Sequence, residues 1–145
     1  MKILLDTNIL VHSFNKASPH QKRASDVIEK ALHREIEAYI SPQTLYEFFA
    51  VVTNPRRVER PLSPEEAANI CLDLWESREI EKANPKLTAP REVFEMVEES
   101  KLSGSRVFDC LLAITAKQNG VEMIYTENVD DFEGYSFLKT SNPLA

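Results

Sequence analysis

Four short apolar runs, Lys2–Leu5, Ala38–Ile40, Val121–Tyr125 and Tyr135–Leu138, punctuate a chain whose other long segments carry helical periodicity. Each run has the length of a strand and is too short for a helix. Between them, Ala24, Val27, Ile28, Ala31 and Leu32 form one helical stripe in the segment that follows Pro19. Ser41-Pro42 opens a second helix, with a hydroxyl at the N-cap and proline in its first turn. Ser63-Pro64-Glu65-Glu66 has the form of a capping box and opens a third, carrying Ala67, Cys71, Leu74 and Trp75. Pro90 begins a fourth, with Val93, Phe94 and Val97 predicted inward and its end near Ser103-Gly104. Val107 to Asn119 is the most apolar helix and is closed by Gly120. Short strands separated by helices predict an α/β layer fold with a mainly parallel sheet. With three glycines, no repeat and no low-complexity stretch, one domain over residues 1–145 is expected.

The longest uninterrupted apolar stretches, Phe48 to Val52 and Cys110 to Ile114, are far too short to cross a bilayer, and Asp6 interrupts the first apolar cluster before a signal-peptide core could form. A soluble, cytoplasmic protein with no membrane partner is the expectation. Cys71 and Cys110 are too few for a disulfide framework and read as buried spectators, while His12, His20 and His33 lack zinc-ligand spacing. The net charge of −6 argues weakly against a nucleic-acid partner. Divided, it is +2 over residues 1–60 and −8 over residues 61–145.

In a parallel sheet, ligands gather beyond the carboxyl ends of the strands, which directs attention to Asp6 and to the loop after Tyr125. Alone, Asp6 reads as a turn or N-cap aspartate. Asp109 is the only charged residue in Val-Phe-Asp-Cys-Leu-Leu-Ala-Ile-Thr-Ala, and a buried carboxylate requires a partner such as Arg106, or a metal. Glu47 falls beside the inner stripe Leu45, Phe48, Phe49 and Val52, and alone reads as solvated. The acidic loop Thr126–Phe132 likewise reads alone as a solvent-facing segment. Gathered at one sheet edge, such carboxylates repel by about 4 kcal/mol per pair at ~4 Å and need a counter-charge. Oxygen ligands without histidine or thiolate suit Mg²⁺ or Mn²⁺, the ions of phosphoryl transfer.

These residues resemble the motifs of the PIN-domain ribonucleases, and among them the VapC-type toxins of toxin–antitoxin pairs. Leu4-Leu5-Asp6-Thr7-Asn8-Ile9-Leu10 is similar to the first motif, and Ser41-Pro42-Gln43-Thr44-Leu45-Tyr46-Glu47-Phe48 to the second. Gly104-Ser105-Arg106-Val107-Phe108-Asp109 followed by Leu111-Leu112-Ala113 is similar to the third. Ile124–Phe132, with Asn142-Pro143 after it, is similar to the fourth. The resemblance spans essentially the whole chain and implies a three-layer α/β/α fold. It also implies metal binding by Asp6, Glu47 and Asp109. Many members carry Asp where this chain has Asn128, so Asn128 could orient a water or a metal ligand while Asp131 supplies the fourth carboxylate. Thr7, Asn8 and Thr126 would sit around the metal and its waters.

The implied activity is endoribonucleolytic: water attacks a phosphodiester and releases a 3′-hydroxyl and a 5′-phosphate, with Mg²⁺ (or Mn²⁺) as cofactor. An antitoxin protein is the implied partner, and homodimers are common in such families. Candidate RNA contacts are Arg56, Arg57 and Arg60 in one loop, and Lys16, Lys22 and Arg23 near the second helix. Trp75, Tyr46 and Phe108 could stack on bases, but their helical patterns predict core positions. Two other readings compete: a non-catalytic PIN-like binding module, and a phosphatase using Asp6 as nucleophile. The latter wants a second aspartate two positions on, where this chain has Asn8.

Overall fold

The computed structural model describes all 145 residues. Its strands are β1 (Lys2–Leu5), β2 (Glu37–Ile40), β3 (Glu81–Lys82), β4 (Met123–Tyr125) and β5 (Lys139–Ser141). They form one sheet in the order β3-β2-β1-β4-β5, and every pairing is parallel. Between β1 and β2 run α1 (Thr7–Phe14) and α2 (Gln21–Leu32), and between β2 and β3 run α3 (Pro42–Val52) and α4 (Pro64–Glu76). Between β3 and β4 run α5 (Ala89–Ser100) and α6 (Arg106–Gln118). A single 3₁₀ turn, Val129–Phe132, lies between β4 and β5.

The period of two along a strand assigns each side chain to a layer. Ile3 and Leu5 of β1, with Ala38 and Ile40 of β2, enter one core built on Ile9, Leu10, Ile28, Phe48 and Leu74 from α1 to α4. Leu4 points the other way, into a core with Val93, Cys110, Ala113, Ile124 and Phe132. The sheet is thus covered on both faces, which is why β1 is apolar at consecutive positions rather than alternating. Each wholly buried side chain of this kind contributes about 1.5–3 kcal/mol.

The helix ends follow the capping chemistry. Ser41 Oγ accepts from the Thr44 amide at 3.2 Å, and Ser63 and Glu66 exchange both capping-box bonds, at 3.1 and 3.3 Å. Gly120, just past α6, takes φ +68°, where a side chain is strained.

Several expectations are corrected. Tyr135–Leu138 is a turn rather than a strand: Tyr135 and Leu138 are buried anchors, their amides bonding to Phe132 and Tyr135 carbonyls, and pairing begins only at Lys139. Near Val121 the strand starts later, because the Val121 amide closes α6 by bonding to Ala116. β3 is a two-residue edge strand with no apolar signature. On α5, Val93 is buried but Phe94 is 63% exposed. Tyr46 and Phe108, expected in the core, are 74% and 56% exposed, while Trp75 is partly buried.

Candidate active site

In the sheet order, the chain leaves β1 toward β2 on one side and returns beside it as β4 on the other. That reversal opens a crevice at the carboxyl ends of β1 and β4. The backbone there is tied together, the Asp6 amide donating to the Tyr125 carbonyl at 3.0 Å. Asp6 is the first residue after β1 and Thr126 the first after β4, so the topology alone makes them neighbours.

Asp6 is buried, and its carboxylate is held from three sides. Oδ1 accepts from the Thr7 amide at 2.7 Å; Oδ2 accepts from Thr126 Oγ1 at 2.7 Å and from Asn8 Nδ2 at 3.3 Å. The N-cap reading of Asp6 is therefore correct, and the same carboxylate also faces the crevice. The Thr126 hydroxyl is fully used, since it also accepts from Asn8 Nδ2 at 3.3 Å and from the Asn128 amide at 3.0 Å. Asn8 Oδ1 takes the Glu127 amide at 3.0 Å, pinning the loop after β4 to α1. Burial raises the Asp6 carboxyl above its ordinary range, opposed by the Thr126 and Thr7 hydrogen bonds and helped by the nearby Glu47 charge.

Glu47, exposed on α3, is steadied by Gln43, whose Nε2 donates to its Oε1 at 2.7 Å. Asp109 sits in the first turn of α6, and its carboxyl is pushed up to about 6. Desolvation is the main cause, followed by the charges of Asp131, Asp6 and Glu47, with Arg106 opposing. The sequence thus places one acid on each of four different elements, and the fold brings their fields together at Asp109. Arg106 offsets Asp109 without neutralising the group. A cleft lined by Asp6, Glu47, Asp109 and Asn128, with Thr7 and Asn8, runs over this region. Asp131, in the 3₁₀ turn, acts on Asp109 through its charge but does not line that cleft.

The donor set bears on what could bind here. Oxygen donors of excess negative charge suit a hard divalent cation, but no three His, Cys, Asp or Glu side chains stand close enough together here to hold a metal ion. A donor set of carboxylate, hydroxyl and amide oxygens without thiolate is of the kind that suits Mg²⁺ or Mn²⁺ rather than structural zinc. A phosphoaspartate mechanism wants a second aspartate two positions after the first, and Asn8, which stands there, instead braces the loop after β4 by accepting the Glu127 amide.

Of the basic candidates, Arg57 lines the cleft; Arg56, Arg60 and Lys16 are exposed but do not line it. Lys22 pairs with Asp26 at 3.3 Å, and Arg23 holds the carbonyls of Leu144 and Ala145. From sequence, neither His12 nor Gln43 nor Glu127 is singled out as an individual residue of the site. His12 Nε2 meets Glu127 Oε2 at 2.9 Å, its Nδ1 meets Ser18 Oγ at 2.6 Å, and Gln43 braces Glu47. Glu127 adjoins Thr126 within an acidic loop, and only the fold shows that it faces α1. Cys110 is buried and its thiol is pushed up by desolvation; Cys71 is half-buried and also raised by burial.

The family model of the PIN domain matches residues 3–138. The chain belongs to the PIN-domain family. It is 28% identical over 144 residues to Ribonuclease VapC24 of Mycobacterium tuberculosis, covering 97% of this chain and 95% of the relative. Its fold is similar to the crystal structure of VapC20 from the same organism, a sarcin-ricin loop cleaving toxin, with a TM-score of 0.67, 15% identity, and 92% and 95% of the two chains covered. It is similar in the same degree, TM-score 0.67, to VapBC2 of Rickettsia felis bound to a promoter DNA fragment, at 23% identity with 98% of each chain covered. PIN-domain membership agrees with the parallel sheet and the acidic crevice. No helix is long and apolar enough to cross a membrane.

Proposed function

We propose that this protein is an endoribonuclease dependent on Mg²⁺ or Mn²⁺, acting in the cytoplasm as the toxin of a toxin–antitoxin pair. The observation that carries the reading is that Asp6, Glu47 and Asp109, from three separate segments of the chain, line one cleft at the β1–β4 crevice of a chain that belongs to the PIN-domain family. The names and titles of its relatives, a ribonuclease VapC, a sarcin-ricin loop cleaving toxin and a VapBC2 assembly, support RNA as substrate and an antitoxin as partner.

In this reading Asp6, Glu47 and Asp109 would hold the cation, with Asp131 or Asn128 completing the set. When bound, the ion supplies the positive charge that phosphodiester hydrolysis needs, both to activate water and to offset the phosphoryl oxygens. The chain's own residues prepare the place. Thr126 and Thr7 fix both oxygens of Asp6 in one orientation, and Gln43 holds one oxygen of Glu47. Asn8 holds the loop that carries Asn128 against α1. Arg57, alone among the basic candidates in lining the cleft, offers a contact for a substrate phosphate. Arg56, Arg60 and Lys16 would attract the backbone from farther out, in a salt-dependent way.

The test is cleavage of a tRNA or rRNA fragment by purified protein in Mg²⁺, beside the same reaction with chelator and beside Asp109→Asn. Cleavage lost both with chelator and in the variant supports the assignment. Undiminished cleavage by folded Asp109→Asn sinks it.

A further inference from the structure

Gln43, in the first turn of α3, has an amide whose orientation is fixed by its neighbours. Its Nε2 donates to Glu47 Oε1 at 2.7 Å and to the Phe108 carbonyl at 2.9 Å. Both partners are pure acceptors, so turning the amide over would set oxygen against oxygen twice. The other end, Oε1, is consequently a buried acceptor with no donor. Such a group is costly to leave unmet and calls for an explanation.

The same glutamine lines a slot whose apolar walls are Pro42, Tyr46, Pro85, Phe108 and Leu111. Tyr46 and Phe108 are the exposed aromatics that helical periodicity had assigned to the core. Each adjoins a candidate ligand in the chain, Tyr46 beside Glu47 and Phe108 beside Asp109. Glu47 lines both this slot and the acidic cleft, so the two form one continuous surface. A polynucleotide with a phosphate at the acids would have a neighbouring nucleotide at the slot.

We propose that the slot is a nucleobase subsite: an unstacked base of the RNA packs against Tyr46 and Phe108 and donates an exocyclic amino hydrogen to Gln43 Oε1. The proposal rests on the ribonuclease reading and gives it a specificity element. Stacking accepts any base, because every base has a π face. The acceptor discriminates among them. Adenine, cytosine and guanine carry an exocyclic amino group; uracil offers only a ring N–H flanked on both sides by carbonyl acceptors, a poorer partner for a lone acceptor among other acceptors. Because Oε1 is covered in the free protein, binding includes a side-chain adjustment at the slot wall. A purely apolar occupant would leave Oε1 unsatisfied, whereas a base brings both a π face for Tyr46 and Phe108 and a donor for Oε1.

The experiment measures binding of fluorescein-labelled hexamers of A, C and U by anisotropy in Ca²⁺, using the full chain, with cleavage of a mixed-sequence RNA in Mg²⁺ followed in parallel. Wild type should bind the A and C hexamers about fivefold or more tightly than U. Tyr46→Ala and Phe108→Ala should weaken all three by about tenfold, the loss of one stacked base. Gln43→Met should bring the A-to-U ratio close to one, a change that mere loosening of Glu47 would not produce. Wild-type affinities and ratios in all three variants, from a protein that still cleaves RNA, would overturn the subsite alone. So would unchanged RNA binding with a shifted monomer–dimer equilibrium in the aromatic variants, which would make the slot an interface with a second copy. A wild-type protein that neither binds nor cleaves any RNA would overturn the ribonuclease reading, and the subsite with it.

Discussion

Thr126 shows how much one hydroxyl can organise. It is fully buried, and its single hydrogen and two lone pairs serve Asp6, Asn8 and the Asn128 amide. Thr126→Val keeps the shape and removes all three bonds, leaving a buried carboxylate and a backbone N–H short of partners. It should cost about 1–3 kcal/mol in urea unfolding and reduce RNA cleavage, while Thr126→Ser should recover most of both. Asp109 poses the opposite case, a group that its surroundings disfavour in charged form. Its folded value of about 6 lies above the ~3.9 of an unfolded aspartate, so the folded protein retains the proton longer. The stability tied to Asp109 is present below about pH 4 and is lost as pH rises through about 6. Without divalent cation, the melting temperature of the wild type minus that of Asp109→Asn should therefore rise as pH is lowered from 7.5 to 5. A flat difference would mean that neither burial nor the neighbouring acids raise Asp109.

At the scale of elements, much was legible because local chemistry and tertiary position agree. Ile3-Leu4-Leu5 is apolar throughout because β1 is central and covered on both faces. Ser63 and Glu66 form the capping box that their spacing foretells, and Ser63→Ala should cost about 1 kcal/mol of stability in the same unfolding assay. The misses share a different cause. A helical stripe reveals which residues share a face, not whether another element packs on it; Tyr46, Phe94 and Phe108 lie on faces left open. Tyr135 and Leu138 are buried by packing alone, and burial without pairing leaves the same apolar signature as a strand. β3 is too short and too polar to announce itself. In the candidate site, Asp6 and Asp109 were visible as carboxylates in apolar settings. Gln43 and His12 were not, since their partners lie far off in the chain: Phe108 for Gln43, and Glu127 for His12.

For the whole molecule, net charge is a poor guide to partners. The −6 includes acids that converge at the crevice, while Arg57 stands in the same cleft. Nucleic-acid binding by such a surface depends on local charge, so RNA affinity should fall only gently with salt, with a log–log slope corresponding to about two or three phosphate contacts. The shared acidic field also implies that divalent cation stabilises the fold. Raising Mg²⁺ to well above its dissociation constant should raise the melting temperature of the wild type and leave that of Asp6→Asn/Asp109→Asn unmoved.

The central claim is that these acids, gathered from separate elements, form a divalent-cation site. Its most direct test is Mn²⁺ titration of the RNA-free protein, followed by the electron paramagnetic resonance signal of free Mn²⁺. The wild type should deplete that signal saturably, and the folded Asp6→Asn/Asp109→Asn variant should leave it at the level of buffer. Equal depletion by the variant would contradict the account.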